Sequence, residues 1–242
     1  MTTSFRLNEV PRRSAADVAF EQLAGGILRG DLAVGEPLPS ERELAQQLGV
    51  SRIIVRQATH RLAELGLVRV RQGGATLVLD PDAATDTRVI GLYYTLDVGA
   101  EARRGFDRDV LEKQFLQGLA LTSIAERRAS PQDLAALARL AADFDDASAS
   151  DADFRAFEAR FWADCARAGG NRILRMEVSW WYQTLEHAPR EPLTSQAPMA
   201  ARIGFYRELG NRLASRAGAA AYYLEVVSPI LSLLFASEEP AK

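Results

Sequence analysis

Three arginines set the first question. Arg42, Arg52 and Arg56 fall within residues 38–79, LPSERELAQQLGVSRIIVRQATHRLAELGLVRVRQGGATLVL. A guanidinium presents a planar fork of N–H donors, the shape that fits guanine O6 and N7 or a phosphate. Arg52 and Arg56 are four apart, so on a helix they share a face. Ser51 and Ile53 stand beside them. Arg42 begins the preceding apolar-periodic run and can reach a phosphate or a base. Gln72 and Gly73 lie at a glycine-rich tip where backbone can approach a groove closely. The chemistry these residues point to is the reading of base edges.

The elements that position them follow from spacing. Ser40 with Glu43 is a capping box, which starts a helix. Leu44, Ala45 and Leu48 give that helix one apolar face, and Gly49 ends it in the left-handed conformation glycine accepts. Ser51 caps a second helix whose apolar residues Val55, Ala58, Leu62 and Leu65 recur at helical spacing. With those buried, Ser51, Arg52, Ile53 and Arg56 face outward, and Gln57 lies near the edge. Gly66 closes this helix. The β-rich runs 67–71 and 76–79 flank Gln72-Gly73-Gly74-Ala75, a hairpin signal. Helix, tight turn, helix and hairpin make a winged helix-turn-helix, whose second helix reads bases with its N-terminal residues. One arginine alone would be ordinary solvated surface; the ordered set is not. Upstream, Ser14 caps a first helix with Val18, Leu23, Ile27 and Leu28 inward. Residues 1–13 read as a flexible arm, so the winged domain spans 14–79.

Residues 15–79 closely resemble the DNA-binding domain of GntR-family bacterial transcription regulators. The resemblance rests on PSERELAQQLGVSRIIVRQATHRLAELGLV followed by GGATLV. It implies DNA contacts by Arg42, Arg52 and Arg56, and by Ser51 and the wing-tip Gln72, with Ile53 and Gly73 among them on that surface. Thr59 departs from the family pattern, standing where a leucine is usual. Gly74-Ala75 replaces a more basic wing tip.

The charge balance supports a divided chain. Of 242 residues with net charge -3, residues 1–79 hold ten arginines against eight carboxylates, net +2. The remainder holds nineteen basic residues against twenty-four acidic, net -5. That asymmetry suits a DNA-reading head on a body that does not bind DNA. So weakly basic a head implies affinity from placed arginines and from two heads paired in a homodimer. The single cysteine, Cys165, excludes an intrachain disulfide framework and reads as a buried small hydrophobe. No signal-peptide core and no spanning apolar run is visible, so a cytoplasmic location without a membrane partner is expected.

Residues 80–86, opening Asp80-Pro81-Asp82, read as a linker. Beyond it the pattern stays helical, with helices expected at 86–99, 107–129, 131–147, 151–168, 170–187, 198–216 and 218–236. The fold class is mainly α: an N-terminal winged helix-turn-helix, then an all-α bundle of six to seven helices over 87–238 for effector binding and dimerisation. This tail resembles the FadR-type branch of the family, with its FCD-like effector domain. FEARFWADCARAGGN at 157–171, Phe205-Tyr206 and the alanine-rich 217–223 carry that likeness.

Many bundles of that branch hold a divalent metal. Its ligands are an aspartate, a histidine one turn later and two histidines from the last two helices. Anchored on Gly170-Asn171, the first two positions fall on Glu158 and Trp162, and the others on or near Tyr206 and Ser228. Only the carboxylate suits Zn, Ni or Mn. The chain has two histidines; His60 lies in the head and His187 matches none of these positions. No metal and no other cofactor is expected. Glu158, Trp162, Tyr206 and Ser228 then line a metal-free pocket for a small-molecule effector, such as a fatty acyl group or another metabolite, or else they fill core. An enzyme is not expected, since the tail has no Gly-rich phosphate loop, HExxH, Cys/His pair or Ser nucleophile motif. The reading is a ligand-responsive regulator that binds a pseudo-palindromic operator in double-stranded DNA as a homodimer. Repression is the commoner outcome in the family it resembles. The alternative is an architectural DNA binder whose bundle only dimerises and takes no effector.

Overall fold

A computed structural model describes residues 14–71, 73–185 and 197–236. The expected arm over 1–13, and Gln72 and His187, lie outside the described residues. Ten α-helices and one two-stranded sheet are described, in two compact units that divide between Arg103 and Arg104.

In the first unit, α1 (Ala15–Leu28), α2 (Glu41–Leu48) and α3 (Arg52–Glu64) each start at a serine cap. Ser14 and Ser40 complete capping boxes with Asp17 and Glu43. The Ser51 hydroxyl oxygen accepts from the Ile54 amide at 3.4 Å. Gly49 ends α2 at φ +65°, a left-handed conformation that would strain a residue bearing Cβ. Val55, Ala58 and Leu62 of α3 are each 0% exposed, with α3 packed on α1 and α2. Val18, expected inward, is exposed instead, while Ala19 and Phe20 beside it are buried. The Arg61 guanidinium lies 4.2 Å over the Phe20 ring and pairs with Asp17, so it covers that edge of the core.

The wing is smaller than expected and has an extra member. Strands β1 (Val68–Arg69) and β2 (Leu77–Val78) pair antiparallel, with Val68 opposite Val78. Residues 35–38, a Gly- and Pro-bearing stretch outside any helix, run along β2: the Leu38 amide donates to the Thr76 carbonyl at 2.8 Å and the Val78 amide to the Glu36 carbonyl at 2.9 Å. This covers an edge that would otherwise present unpaired backbone groups.

The chain divides later than the sequence suggests. Residues 80–86 hold a 3-10 turn at Pro81–Ala83 capped by Asp80, and α4 (Arg88–Thr95) belongs to the first unit rather than to the bundle. Val89 and Val98 are buried in the same apolar cluster as Phe20, Leu23 and Leu62, with Leu92, Tyr93 and Leu96 packed on it. Arg29 donates to the Asp97 carbonyl, and Arg103 to that of Tyr93 at 3.1 Å. Periodicity reveals an apolar helix face but not which core receives it.

The second unit is built from α5 (Ala100–Arg128) beyond its first turn, α6 (Pro131–Ala142), α7 (Asp151–Ala168), α8 (Arg172–Leu185), α9 (Met199–Ser215) and α10 (Ala219–Ala236). α6 stops at Ala142 instead of 147 because Asp145 organises a turn. Its carboxylate accepts from the Ala147 amide at 3.1 Å and the Ser148 hydroxyl at 2.6 Å, a local arrangement that competes with helix. Cys165 is fully buried, and burial pushes its thiol up to about 12. α9 packs on α6 through Gly210, where a Cβ would meet the Ala138 Cα at 2.9 Å. Gly204 in the same helix has open space at its Cβ position. No described helix is long and apolar enough to cross a membrane.

These two glycines make a paired test. Gly210→Ala should cost about 1–3 kcal/mol by overpacking. Gly204→Ala should cost nothing and gain up to about 1 kcal/mol, since alanine is the better helix former. Urea denaturation of both variants measures this; equal effects would contradict the packing described.

Candidate nucleic-acid interface and bundle centre

The buried stripe of α3 decides which of its residues meet solvent. With Val55, Ala58 and Leu62 inward, Ser51, Arg52, Ile53, Arg56 and Gln57 are all exposed. Ile53 is 71% exposed, a large apolar side chain at the start of a helix, with no core to enter. Arg42 is exposed on α2. Gly73 is exposed at φ +69° in the turn between β1 and β2. Every described DNA-contact candidate is therefore on the surface. The departure at Thr59 is accommodated: it is buried, and its hydroxyl donates to the Val55 carbonyl at 2.9 Å. A threonine in a helix commonly satisfies itself in this way.

One residue of this face has no signal in the sequence. Glu41 of α2 accepts two hydrogen bonds from Arg56, from Nε at 3.0 Å and from Nη2 at 2.9 Å. That bond holds the Glu41 carboxyl below its usual range. The partners are on different helices, so neither helical spacing nor capping chemistry joins them.

At the centre of the bundle three of the four expected effector residues meet. The Trp162 indole N–H donates to the Tyr206 hydroxyl at 3.1 Å. That hydroxyl donates in turn to Glu158 Oε1 at 2.5 Å. Burial, reinforced by the Glu158 charge, pushes the Tyr206 phenol well up. Ser228 is a correction: it is exposed on α10 and joins nothing here. Tyr223 of the same helix is the residue that packs inward, edge-on to Trp162 at 5.8 Å between ring centroids. Its hydroxyl occupies the space a side chain on Gly118 would need.

This donor set does not suit a divalent cation. An indole N–H donates but has no lone pair for a metal, and the Tyr206 oxygen is already engaged on both sides. Among the described residues no group of three His, Cys, Asp or Glu side chains converges. Tyr206 is packed edge-on against Phe157 at 5.2 Å and Phe161 at 5.0 Å. Trp162 and Tyr206 are buried. Two grooves open on the bundle surface. One, of about 300 Å³, runs between α5 and α8 and is lined by Lys113, Gln117, Leu174 and Glu177. The other, of about 580 Å³, lies between α6 and α7, lined by Arg139, Leu140, Phe157 and Arg160.

Comparison with known proteins agrees with this division of labour. Residues 15–78 match the family model described as "Bacterial regulatory proteins, gntR family", and residues 113–224 match the model "FCD domain". The chain is 32% identical over 216 residues to the HTH-type transcriptional regulator Mce2R of Mycobacterium tuberculosis, covering 86% of each. It is 30% identical over 183 residues to the putative L-lactate dehydrogenase operon regulatory protein of Escherichia coli, covering 73% of this chain and 67% of that one. A solved structure from Listeria monocytogenes, of the protein Lar, shares the fold at a TM-score of 0.54 with 15% identity, over 95% of this chain and all of that one.

The bundle centre yields a direct test. Tyr206→Phe removes one hydroxyl from a packed site and leaves the Trp162 indole without its acceptor. It should cost about 1–3 kcal/mol in urea denaturation, the cost of stranding buried polar groups. A change below about 0.5 kcal/mol, within the range of ordinary surface substitutions, would show that the chain of hydrogen bonds contributes little.

Proposed function

The chain belongs to the GntR family of bacterial regulatory proteins, and from that premise we propose how this transcriptional regulator works. Two heads, paired in a homodimer, bind a pseudo-palindromic operator with each α3 in a major groove. The regulator acts in the cytoplasm and represses its target. A small-molecule effector, a fatty acyl group or another metabolite, binds the metal-free bundle and shifts the population of head spacings. The single observation that carries the reading is the exposed N-terminal half of α3, where Arg52 and Arg56 stand clear of a fully buried apolar stripe. Arg42, Ser51, Ile53, Gln72 and Gly73 complete the proposed contact surface.

A second reading is favoured by the closed packing of Trp162 and Tyr206. In it the bundle pairs two heads and binds no effector at its centre. The first reading requires those aromatics to part for a ligand, or requires the ligand to use a groove outside them.

Two experiments test this. Titration onto duplex DNA from upstream of its own gene should show retardation at moderate salt. Arg52→Ala should weaken binding to the best duplex by about 1–3 kcal/mol and relax the preference at one base pair. Uniform weakening on every sequence would demote Arg52 to a phosphate contact. The second experiment is a thermal-shift screen with acyl-CoAs, sugar acids and amino acids, run with and without EDTA. A ligand selective for the folded state raises the melting temperature by mass action. The expected outcome is a shift with one class and no change on chelation; a fall with EDTA would restore a metal, and no shift with any class would favour the second reading.

A further inference from the structure

The Glu41–Arg56 pair does something that the arginine alone cannot. Glu41 is the first residue of α2, and the capping box of Ser40 and Glu43 fixes where that helix starts. Glu43 is committed to Ser40, whose amide and hydroxyl it accepts at 2.8 Å and 2.7 Å. Glu41 is thus the carboxylate of this turn left to face α3. It takes Nε–H and one Nη2–H of Arg56. A guanidinium has five N–H groups. Of the three that remain, one on Nη1 and one on Nη2 point outward and make the outer edge a two-pronged fork. The Arg56 side chain is 76% exposed, so this edge is open to a partner.

We propose that Glu41 is a specificity-determining positioning residue, which holds the Arg56 guanidinium with its outer edge presented to a base pair. The proposal rests on the reading of α3 as the base-reading helix. Two physical effects support it. An exposed arginine samples many rotamers, and ordering it on binding opposes affinity; a partner that orders it beforehand removes part of that cost. A carboxylate beside the guanidinium also cancels its attraction to phosphates, the sequence-independent part of DNA binding. Arg52, whose charge also acts on Glu41, lies one turn away on α3. Glu41 therefore lowers the non-specific attraction of this cluster while sharpening the contact of one member. Specificity is a difference of affinities, and Glu41 acts on both terms.

The experiment uses the full chain and its Glu41→Gln, Arg56→Ala and double variants. Each is put through selection from randomised duplex DNA, then titrated against the wild type's best duplex and a scrambled one. Glu41→Gln should lose preference at the same base pair that Arg56→Ala loses. Its ratio of specific to non-specific affinity should fall by about three- to tenfold, part of the discrimination of a full bidentate contact. Binding to the scrambled duplex should tighten at low salt. The double variant should show the same preferences as Arg56→Ala, and melting temperatures should stay within those of the wild type. Two results would overturn the proposal: equal tightening on both duplexes with preferences intact, which is a charge effect alone, or equal weakening on both. If the wild type itself selects no sequence, the base-reading role of α3 fails and this proposal with it. If the wild type selects but Glu41→Gln keeps every preference, only the proposal fails.

Discussion

The burial of one apolar stripe governs the first unit. Val55, Ala58 and Leu62 have no exposure at all, and fully burying such side chains is worth about 1.5–3 kcal/mol for each of the larger two. Nothing polar on α3 can match that. The helix therefore has a single available rotation, and at that rotation its charged front end is outside. Ser51 and Gly49 set where the helix begins, through a cap and a left-handed turn. The exposed arginines are a consequence of what the opposite face must bury.

The same logic of satisfied demands shapes the bundle centre, with a different outcome. There this chain has an indole, a phenol and a carboxylate in one chain of hydrogen bonds. The indole N–H and the phenol hydroxyl each find a partner, and the rings around them pack edge to face. Edge-to-face contacts between aromatic rings add to the burial they bring.

Much of this was legible in the residues. Ser14, Ser40 and Ser51 as caps, Gly49 as a stop, the α3 stripe and the short hairpin each follow from local chemistry, and each is found. Thr59, out of pattern, proves self-satisfied through the Val55 carbonyl. Other features were not legible because they join distant stretches. Residues 35–38 look like loop, yet they edge the wing through backbone bonds that any side chain permits. α4 reads as one more bundle helix, but its apolar face enters the first core. Ser228, placed by counting along the last helix, faces solvent, while Tyr223 turns inward. Counting aligns positions; it does not fix helix rotation.

The amino-acid sequence by itself determined the local order of elements and which face of each helix is apolar, because caps, stops and periodicity act over a few residues. It also determined that two histidines could not supply a three-histidine site. Tertiary structure alone decided which core each apolar face joined, where the two units divide, and that Glu41 of α2 would clasp Arg56 of α3. Those outcomes depend on packing between segments far apart along the chain, and no short-range spacing encodes the geometry in which two such faces meet.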